Sequence, residues 1–209
     1  MLRIIKSDPF LKNTEGENIY IDFGEEKIEK ALFLDIDGVI QPFTDHYIEY
    51  VNDDDKMEEL FKKLESEFKV DYRKFHKYDV ATAYCDWDRD AVKELKRVLD
   101  ATGAKIVVSS SWRSGASGDY LPFLLRMHDL QKYLYGYTPL FNGWSEYEGL
   151  EHDRSIEILE YLKMHPYIKK WVAVDDKDLS RDFPKNSVVT YPKITAEDAD
   201  MCIEILGVG

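Results

Sequence analysis

ALFLDIDGVI, which spans residues 31–40, combines a short apolar run with two aspartates and a glycine. The apolar part predicts a buried β-strand. Asp35 and Asp37 follow it directly, and Gly38 permits a turn that sends both carboxylates toward the carboxyl end of the strand. Because a carboxylate buried at the end of an apolar strand is costly without compensation, this stretch predicts a cation or hydrogen-bond donors beside it.

Two further apolar runs also end in polar residues. They are KIVVSSSWR at residues 105–113 and WVAVDD at residues 171–176. Segments with helical periodicity lie between the strands, with a weaker strand candidate at 133–137 and a last one at 188–191. Strands that alternate with helices predict a parallel sheet, and so a three-layer, Rossmann-like α/β fold with helices on both faces. Ligands of such sheets bind beyond the carboxyl ends of the strands.

Asp175 and Asp176 form a second acidic pair, at the end of the run that begins at Trp171. Two separate strands therefore deliver carboxylates to the same edge of the predicted sheet. Converging carboxylates need a cation, and hard oxygen ligands suit Mg²⁺. An isolated Asp-Asp pair is usually a loop or a helix cap, so only its combination with Asp35 and Asp37 predicts a metal site.

Three serines, Ser109 to Ser111, follow the second strand and precede Trp112 and Arg113. Hydroxyl and backbone N–H groups at a strand-to-helix turn form a receptacle for phosphate, and Arg113 adds a bidentate donor. A triple serine is also an ordinary turn sequence. Both interpretations of this turn stay open at the level of the sequence.

Composition narrows the class of partner. With 28 basic and 41 acidic residues among 209, the chain carries a formal charge of −13, which favours a small phosphorylated molecule over a long nucleic acid unless a local basic patch intervenes. Two cysteines are too few for a disulfide framework, and no apolar run has the length of a membrane span or the form of a secretory signal. We therefore expect a cytoplasmic protein with no membrane partner, and nothing in the sequence indicates a protein partner.

The three motifs together resemble those of the haloacid dehalogenase (HAD)-like hydrolases. Residues 31–40 are similar to the first motif of that superfamily, residues 105–113 to the second, and residues 171–176 to the double-aspartate form of the fourth. The SSSWR turn, GYTP at residues 136–139 and His165-Pro166 resemble a smaller branch that includes HAD domains of bacterial, phage and RNA-repair-associated proteins. The resemblance covers about residues 30–192 and implies one HAD-like domain over residues 1–209.

The resemblance implies a role for each matching residue. Asp35 would be the nucleophile, and Asp37 the general acid and base. Mg²⁺ would be held by Asp35, the backbone carbonyl of Asp37, and Asp175 or Asp176. One of Ser109 or Ser110 would bind the phosphoryl group, although the register of this turn stays open. The third-motif cation would be Arg154, with Lys163 as the alternative near the end of the same predicted helix.

Residues 41–86 form too long a connection for an ordinary loop between a strand and its helix. The resemblance implies that this insertion is a cap or flap over the site. It contains many aromatic and basic residues, which either stack on a base or pack against one another. Residues 1–28 precede the core; the alternation at 18–23 predicts an edge strand, to which we assign no function.

The expected activity is the Mg²⁺-dependent hydrolysis of a phosphomonoester through an aspartyl-phosphate. Nucleotides, nucleic-acid ends, sugar phosphates and phosphoproteins are all compatible substrates at this level. Two alternatives are a non-catalytic module that binds a phosphorylated ligand and a phosphotransferase that uses an alcohol instead of water. Retention of both Asp35 and Asp37 argues against the binding module, because sensing a ligand needs neither a nucleophile nor an acid.

Overall fold

The computed structural model describes residues 27–140, 150 and 152–209. The strand predicted at 18–23 therefore lies outside the described residues. Within them, the strands are β1 (Lys30–Leu34), β2 (Lys105–Val108), β3 (Leu134–Tyr137), β4 (Lys170–Asp175) and β5 (Ser187–Val189). The α-helices are α1 (Ile48–Val51), α2 (Asp54–Phe68), α3 (Lys77–Cys85), α4 (Arg89–Thr102), α5 (Gly115–Arg126), α6 (Asp153–Met164) and α7 (Ala196–Leu206).

The described strands form one parallel sheet in the order β3-β2-β1-β4-β5. The first of the described strands thus lies at the centre, and the later strands are added on both sides of it. In such sheets the strand order reverses beside the central strand, which opens a crevice at the carboxyl ends. Asp35 directly follows β1 at this position, and Asp175 is the last residue of β4.

Alternate side chains of β1 enter different halves of the core. Leu32 and Leu34 belong to a cluster that includes residues of α4, α5 and α7. Ala31 and Phe33 belong to a second cluster, which contains Ile158 of α6. A strand with apolar side chains on both faces is buried between two helical layers. The predicted three-layer α/β fold is therefore confirmed.

Local signals set several of the helix boundaries. The Asp53 side chain accepts hydrogen bonds from two backbone N–H groups at the start of α2, and Asp88 does the same for α4. Helix α4 ends at Gly103, whose φ of 71° is a left-handed conformation. Thr195 and Asp198 form the capping box predicted for the last helix. None of the described helices combines the length and apolar character that crossing a membrane requires.

The long insertion folds into helices that pack on the rest of the core. Residues 41–86 contain α1, α2 and α3. The ring of Phe75 stacks on Tyr120 of α5 with 4.7 Å between ring centroids, and the Tyr72 hydroxyl donates to the Phe123 carbonyl at 3.0 Å. These aromatic residues are buried, so they pack against the protein and are not available to a base. A covering role for the insertion stays a prediction.

Candidate active site

Three carboxylates meet at the carboxyl end of the sheet. In the pairing of β1 with β4, Leu34 lies beside Val174, and the Asp35 N–H donates to the Val174 carbonyl at 3.0 Å. Asp35 and Asp175 are thereby side by side, with Asp176 next to them. One carboxylate oxygen from each of the three lies within 4.8 Å of the others. Residues far apart in sequence thus meet because their strands are adjacent.

Gly38 allows the chain after β1 to pass close to Asp176. Its φ is 72°, which is unfavourable for residues with a side chain. A Cβ atom at this position would lie 2.4 Å from the Cβ of Asp176. The glycine thus serves both the turn and the close approach of two acidic segments.

Arg154 provides the positive charge at this cluster. Its Nη1 atom lies 2.7 Å from Oδ2 of Asp175 and 3.5 Å from Oδ1 of Asp35. Burial raises the pKa of Asp175, the charge of Arg154 opposes that rise, and the charge of Asp35 adds to it. One arginine facing three carboxylates leaves the cluster with excess negative charge, a composition that fits a divalent cation.

The alternative cation, Lys163, lies elsewhere on α6. Its ammonium group is 3.8 Å from Glu160 and its side chain is 59% exposed. Arg154, in contrast, lies in the first turn of α6 and is buried. Of the two residues, the structure brings Arg154 and not Lys163 to the carboxylates.

Asp37 is held apart from the other acidic side chains. The indole N–H of Trp112 donates to its carboxylate, with Nε1 3.2 Å from each of the two oxygens. Burial raises the pKa of Asp37, the Trp112 hydrogen bond partly opposes this, and the charges of Asp35 and Asp176 add to the rise. A raised pKa favours the protonated carboxyl, which is the form that a general acid requires.

Ser109 and Ser110 extend the site on its β2 side. Both residues are buried, and the Ser109 N–H donates to the Leu34 carbonyl at 2.9 Å, directly beside Asp35. The Ser110 hydroxyl accepts a hydrogen bond from the Trp112 N–H at 3.4 Å and so shapes the short 3-10 turn that follows. The serine turn therefore adjoins the carboxylates, as the sequence predicts.

Arg113 has its contacts within the wall of the site. Its guanidinium donates to the backbone carbonyls of Thr138 at 3.0 Å and Pro139 at 3.3 Å, and also to that of Ser110. Its Nη2 atom pairs with Glu157 at 2.5 Å. These contacts join the serine turn to the end of β3 and to α6. They favour a positioning role for Arg113 over the direct phosphate contact expected from the sequence.

Comparison with known proteins agrees with these motifs. A family model described as the HAD domain in Swiss Army Knife RNA repair proteins matches residues 31–200. The chain belongs to this family of HAD domains. No curated protein and no solved structure matched the chain. The matched range includes every residue of the site, from Asp35 to Asp176.

Membership of this family supports the interpretation of the site as that of a hydrolase of phosphate esters, since HAD domains are generally hydrolases or phosphatases.

Two residues that line this HAD site were not assigned a role from the sequence. Trp112 was visible only as part of the SSSWR turn, and its contact with Asp37 depends on how β1 and β2 pair. Glu157 lies 3.7 Å from Arg154 and 2.5 Å from Arg113. Its spacing of three residues from Arg154 on one helix is the signal that suggests this pairing.

Proposed function

We propose that the protein is a phosphomonoesterase that uses Asp35 as its nucleophile and acts on a nucleotide or a nucleic-acid end. The observation that carries this proposal is the convergence of Asp35, Asp175 and Asp176 to within 4.8 Å, with Asp37 held separately by Trp112. A binding site for a phosphorylated ligand alone would have no use for a further carboxyl group, that of Asp37, outside the cluster of three carboxylates.

The donor set fits Mg²⁺. All the proposed ligands are hard oxygens, namely the carboxylates of Asp35, Asp175 and Asp176 and the backbone carbonyl of Asp37. Bound there, Mg²⁺ would neutralise charge on the phosphoryl group and on the carboxylates. Arg154 alone leaves that charge incompletely balanced.

The reaction would proceed in two steps on the protein's own side chains. A carboxylate oxygen of Asp35 attacks phosphorus, the bond between phosphorus and the ester oxygen breaks, and Asp37 gives its proton to the departing alcohol. In the second step a water molecule attacks the phosphorus of the aspartyl-phosphate, the bond between phosphorus and the Asp35 oxygen breaks, and Asp37 accepts a proton from the water. The products are the free alcohol and inorganic phosphate, and both aspartates return to their starting state.

The remaining residues would position these groups. Arg154 would share its charge between the carboxylates and the incoming phosphoryl oxygens, and Ser109 or Ser110 would donate to one of those oxygens. Trp112 would orient Asp37 toward the ester oxygen. Arg113 would fix the serine turn by holding its backbone and Glu157.

Two observations bear on the substrate. The family model describes domains of RNA repair proteins, which supports a nucleic-acid end. The formal charge of −13 disfavours extensive contacts with a phosphodiester backbone. A substrate recognised at its terminal nucleotide satisfies both conditions.

The test is a Mg²⁺-supplemented assay over p-nitrophenyl phosphate, a sugar phosphate, nucleoside monophosphates and oligonucleotides phosphorylated at either end. The wild-type chain is expected to release phosphate, and Asp35→Asn to lose turnover by at least about 1,000-fold while remaining folded. Asp54→Asn is a matched control because the Asp54 side chain is fully exposed, at 100%, in the first turn of α2.

Each alternative has its own result in this assay. Turnover retained by Asp35→Asn would remove the nucleophile from the mechanism. Binding of phosphate and Mg²⁺ without turnover of any substrate would indicate a binding module instead. Transfer of the phosphoryl group to an added alcohol, in preference to water, would identify a phosphotransferase.

A further inference from the structure

Two large aromatic side chains remain exposed although they contact each other. Phe43 is 61% exposed and Tyr191 is 75% exposed. Their ring centroids lie 5.9 Å apart and the ring planes are inclined by 37°. Exposed aromatic surface of this kind is unfavourable in water and is typical of a surface that binds something.

Tyr191 belongs to a loop that is attached to the candidate active site. The preceding residue, Thr190, donates its N–H to the Asp175 carbonyl at 3.0 Å and its hydroxyl to the Gly38 carbonyl at 2.8 Å. Three residues after Tyr191, the Ile194 N–H donates to the Val39 carbonyl at 2.8 Å. The loop is therefore fixed on both sides of Tyr191 to the segment that carries Asp37.

Phe43 belongs to a second segment that is anchored close to Gly38. Gln41, two residues earlier, accepts a hydrogen bond from the Gly38 N–H at 2.8 Å. Thr44, the next residue, donates its hydroxyl at 2.8 Å to Asp86, whose side chain is buried. Both rings are thus held by short, anchored segments next to Gly38, and such pre-organisation lowers the entropy cost of binding.

We propose that Phe43 and Tyr191 form a stacking platform for the base of the nucleotide whose phosphate is bound at Asp35. This inference rests on the proposed phosphomonoesterase function. Every base offers a π-face, and stacking on aromatic side chains needs no positive charge on the protein. A chain with a formal charge of −13 gains little from backbone phosphates, so contact with the terminal base would supply affinity that ionic contacts do not.

The test compares substrates that differ only in the base. Phe43→Ala and Tyr191→Ala would be assayed on an oligonucleotide with a terminal phosphate, on the same oligonucleotide with an abasic terminal nucleotide, and on a sugar phosphate. The expected result is a rise in KM of roughly five-fold to 100-fold for the base-bearing substrate. The KM values of the two other substrates should stay within about two-fold of wild type, since neither has a base on the phosphorylated unit that could stack.

Two control variants separate stacking from a general effect on the fold. Tyr191→Phe keeps the ring and should retain the wild-type KM. Tyr78→Ala removes another exposed ring, 44% exposed in α3, and should leave all three KM values unchanged. A nucleoside monophosphate identifies the source of the base, because a rise in its KM assigns the platform to free nucleotides and a rise for the oligonucleotide alone assigns it to a polymer end.

Equal changes in KM for the base-bearing and abasic substrates would overturn the platform. A shift of Phe43→Ala or Tyr191→Ala to a smaller species in size-exclusion chromatography would also overturn it, because the rings would then cover a second copy of the chain. Failure of the proposed function has a different signature, which is that the wild type hydrolyses none of the three substrates.

Discussion

At the carboxyl end of β1, two aspartates separated by one residue turn to different partners, whereas at the end of β4 two adjacent aspartates stay together. Asp35 accepts a hydrogen bond from the Ile36 N–H at 2.9 Å and faces Arg154, while Asp37 is bound by Trp112. Asp175 accepts from Arg154 at 2.7 Å and lies next to Asp176 in the three-carboxylate cluster.

The difference shows how one residue type acquires several roles. The acidic residues lie close together because β1 and β4 are adjacent. The hydrogen-bond donors beside them, Arg154 and Trp112, then give the carboxylates different partners. Arg154 and a metal would share three of the carboxylates, while the Trp112 indole would hold the fourth for proton transfer. Arg154 contacts both strand ends, and Gly38 allows the two acidic segments to approach each other closely. Substitutions at these two positions should therefore disturb the arrangement most.

Among the residues that give the acidic side chains their different partners, the largest expected effect is at Arg154. We expect Arg154→Met to lower turnover by about 100-fold or more in the presence of Mg²⁺, because it removes the positive charge shared by the carboxylates and the phosphoryl group. The measurement is the rate of phosphate release at saturating substrate, with circular dichroism to confirm that the variant is folded.

Arg113→Met is the matched control, since both arginines are buried and both pair with Glu157. It should lower the free energy of unfolding by about 3–5 kcal/mol, as expected for one partner lost from a buried ion pair, and leave turnover of the folded protein within about ten-fold of wild type. Arg113→Lys keeps the charge and should restore part of the stability. The opposite pattern, with Arg113 essential for turnover and Arg154 only for stability, would reverse the roles assigned to them.

Gly38 offers a second way to disturb the junction between the strand ends. Gly38→Ala should lower the free energy of unfolding by about 3 kcal/mol, because it adds the cost of a left-handed alanine to a clash with Asp176. Gly103→Ala tests the cost of the left-handed conformation alone, since Gly103 has a φ of 71° and none of the described residues lies within 4 Å of an added Cβ. It should cost only about 1–2 kcal/mol.

Chemical denaturation of the two glycine variants measures the difference between them. Gly38→Ala should also weaken the response of the melting temperature to Mg²⁺, which Gly103→Ala should leave intact. Equal losses of stability in the two variants would mean that Asp176 does not pack against Gly38 as described.

Most of the fold could be predicted from the sequence, since β1, β2 and β4 are apolar runs buried on both faces. The convergence of Asp35 with Asp175 follows from the general rule that parallel strands end at one edge of a sheet. The family match confirms the resemblance carried by these motifs. The roles of the individual site residues stay predictions until variants are assayed.

The side-chain contacts made by residues of the loops around the site could not be predicted in this way. The contact of the Trp112 indole with Asp37 depends on the pairing of β1 with β2 and on the short 3-10 helix of the serine turn, and nothing in the sequence fixes the direction of that side chain. Phe43 is one of many aromatic residues in the insertion, and its partner Tyr191 lies 148 positions later in the chain. Pairs of this kind depend on loop conformation, which periodicity does not encode.

The most direct measurement of the central claim is the melting temperature of the wild type and Asp175→Asn, with and without Mg²⁺. Without metal, the variant should melt about 2–4 °C higher, because burial raises the pKa of Asp175 and its ionised form is unfavourable at neutral pH. This advantage should shrink as the pH falls through the raised pKa, since protonation then removes the charge from the wild type as well.

With Mg²⁺ at ten times its dissociation constant, the wild type should gain about 1.4 kcal/mol, while Asp175→Asn should gain much less. The account therefore predicts that Mg²⁺ reverses the order of the two melting temperatures. A wild type that does not respond to Mg²⁺, or a variant that melts lower in its absence, would contradict the convergence of these carboxylates on one cation.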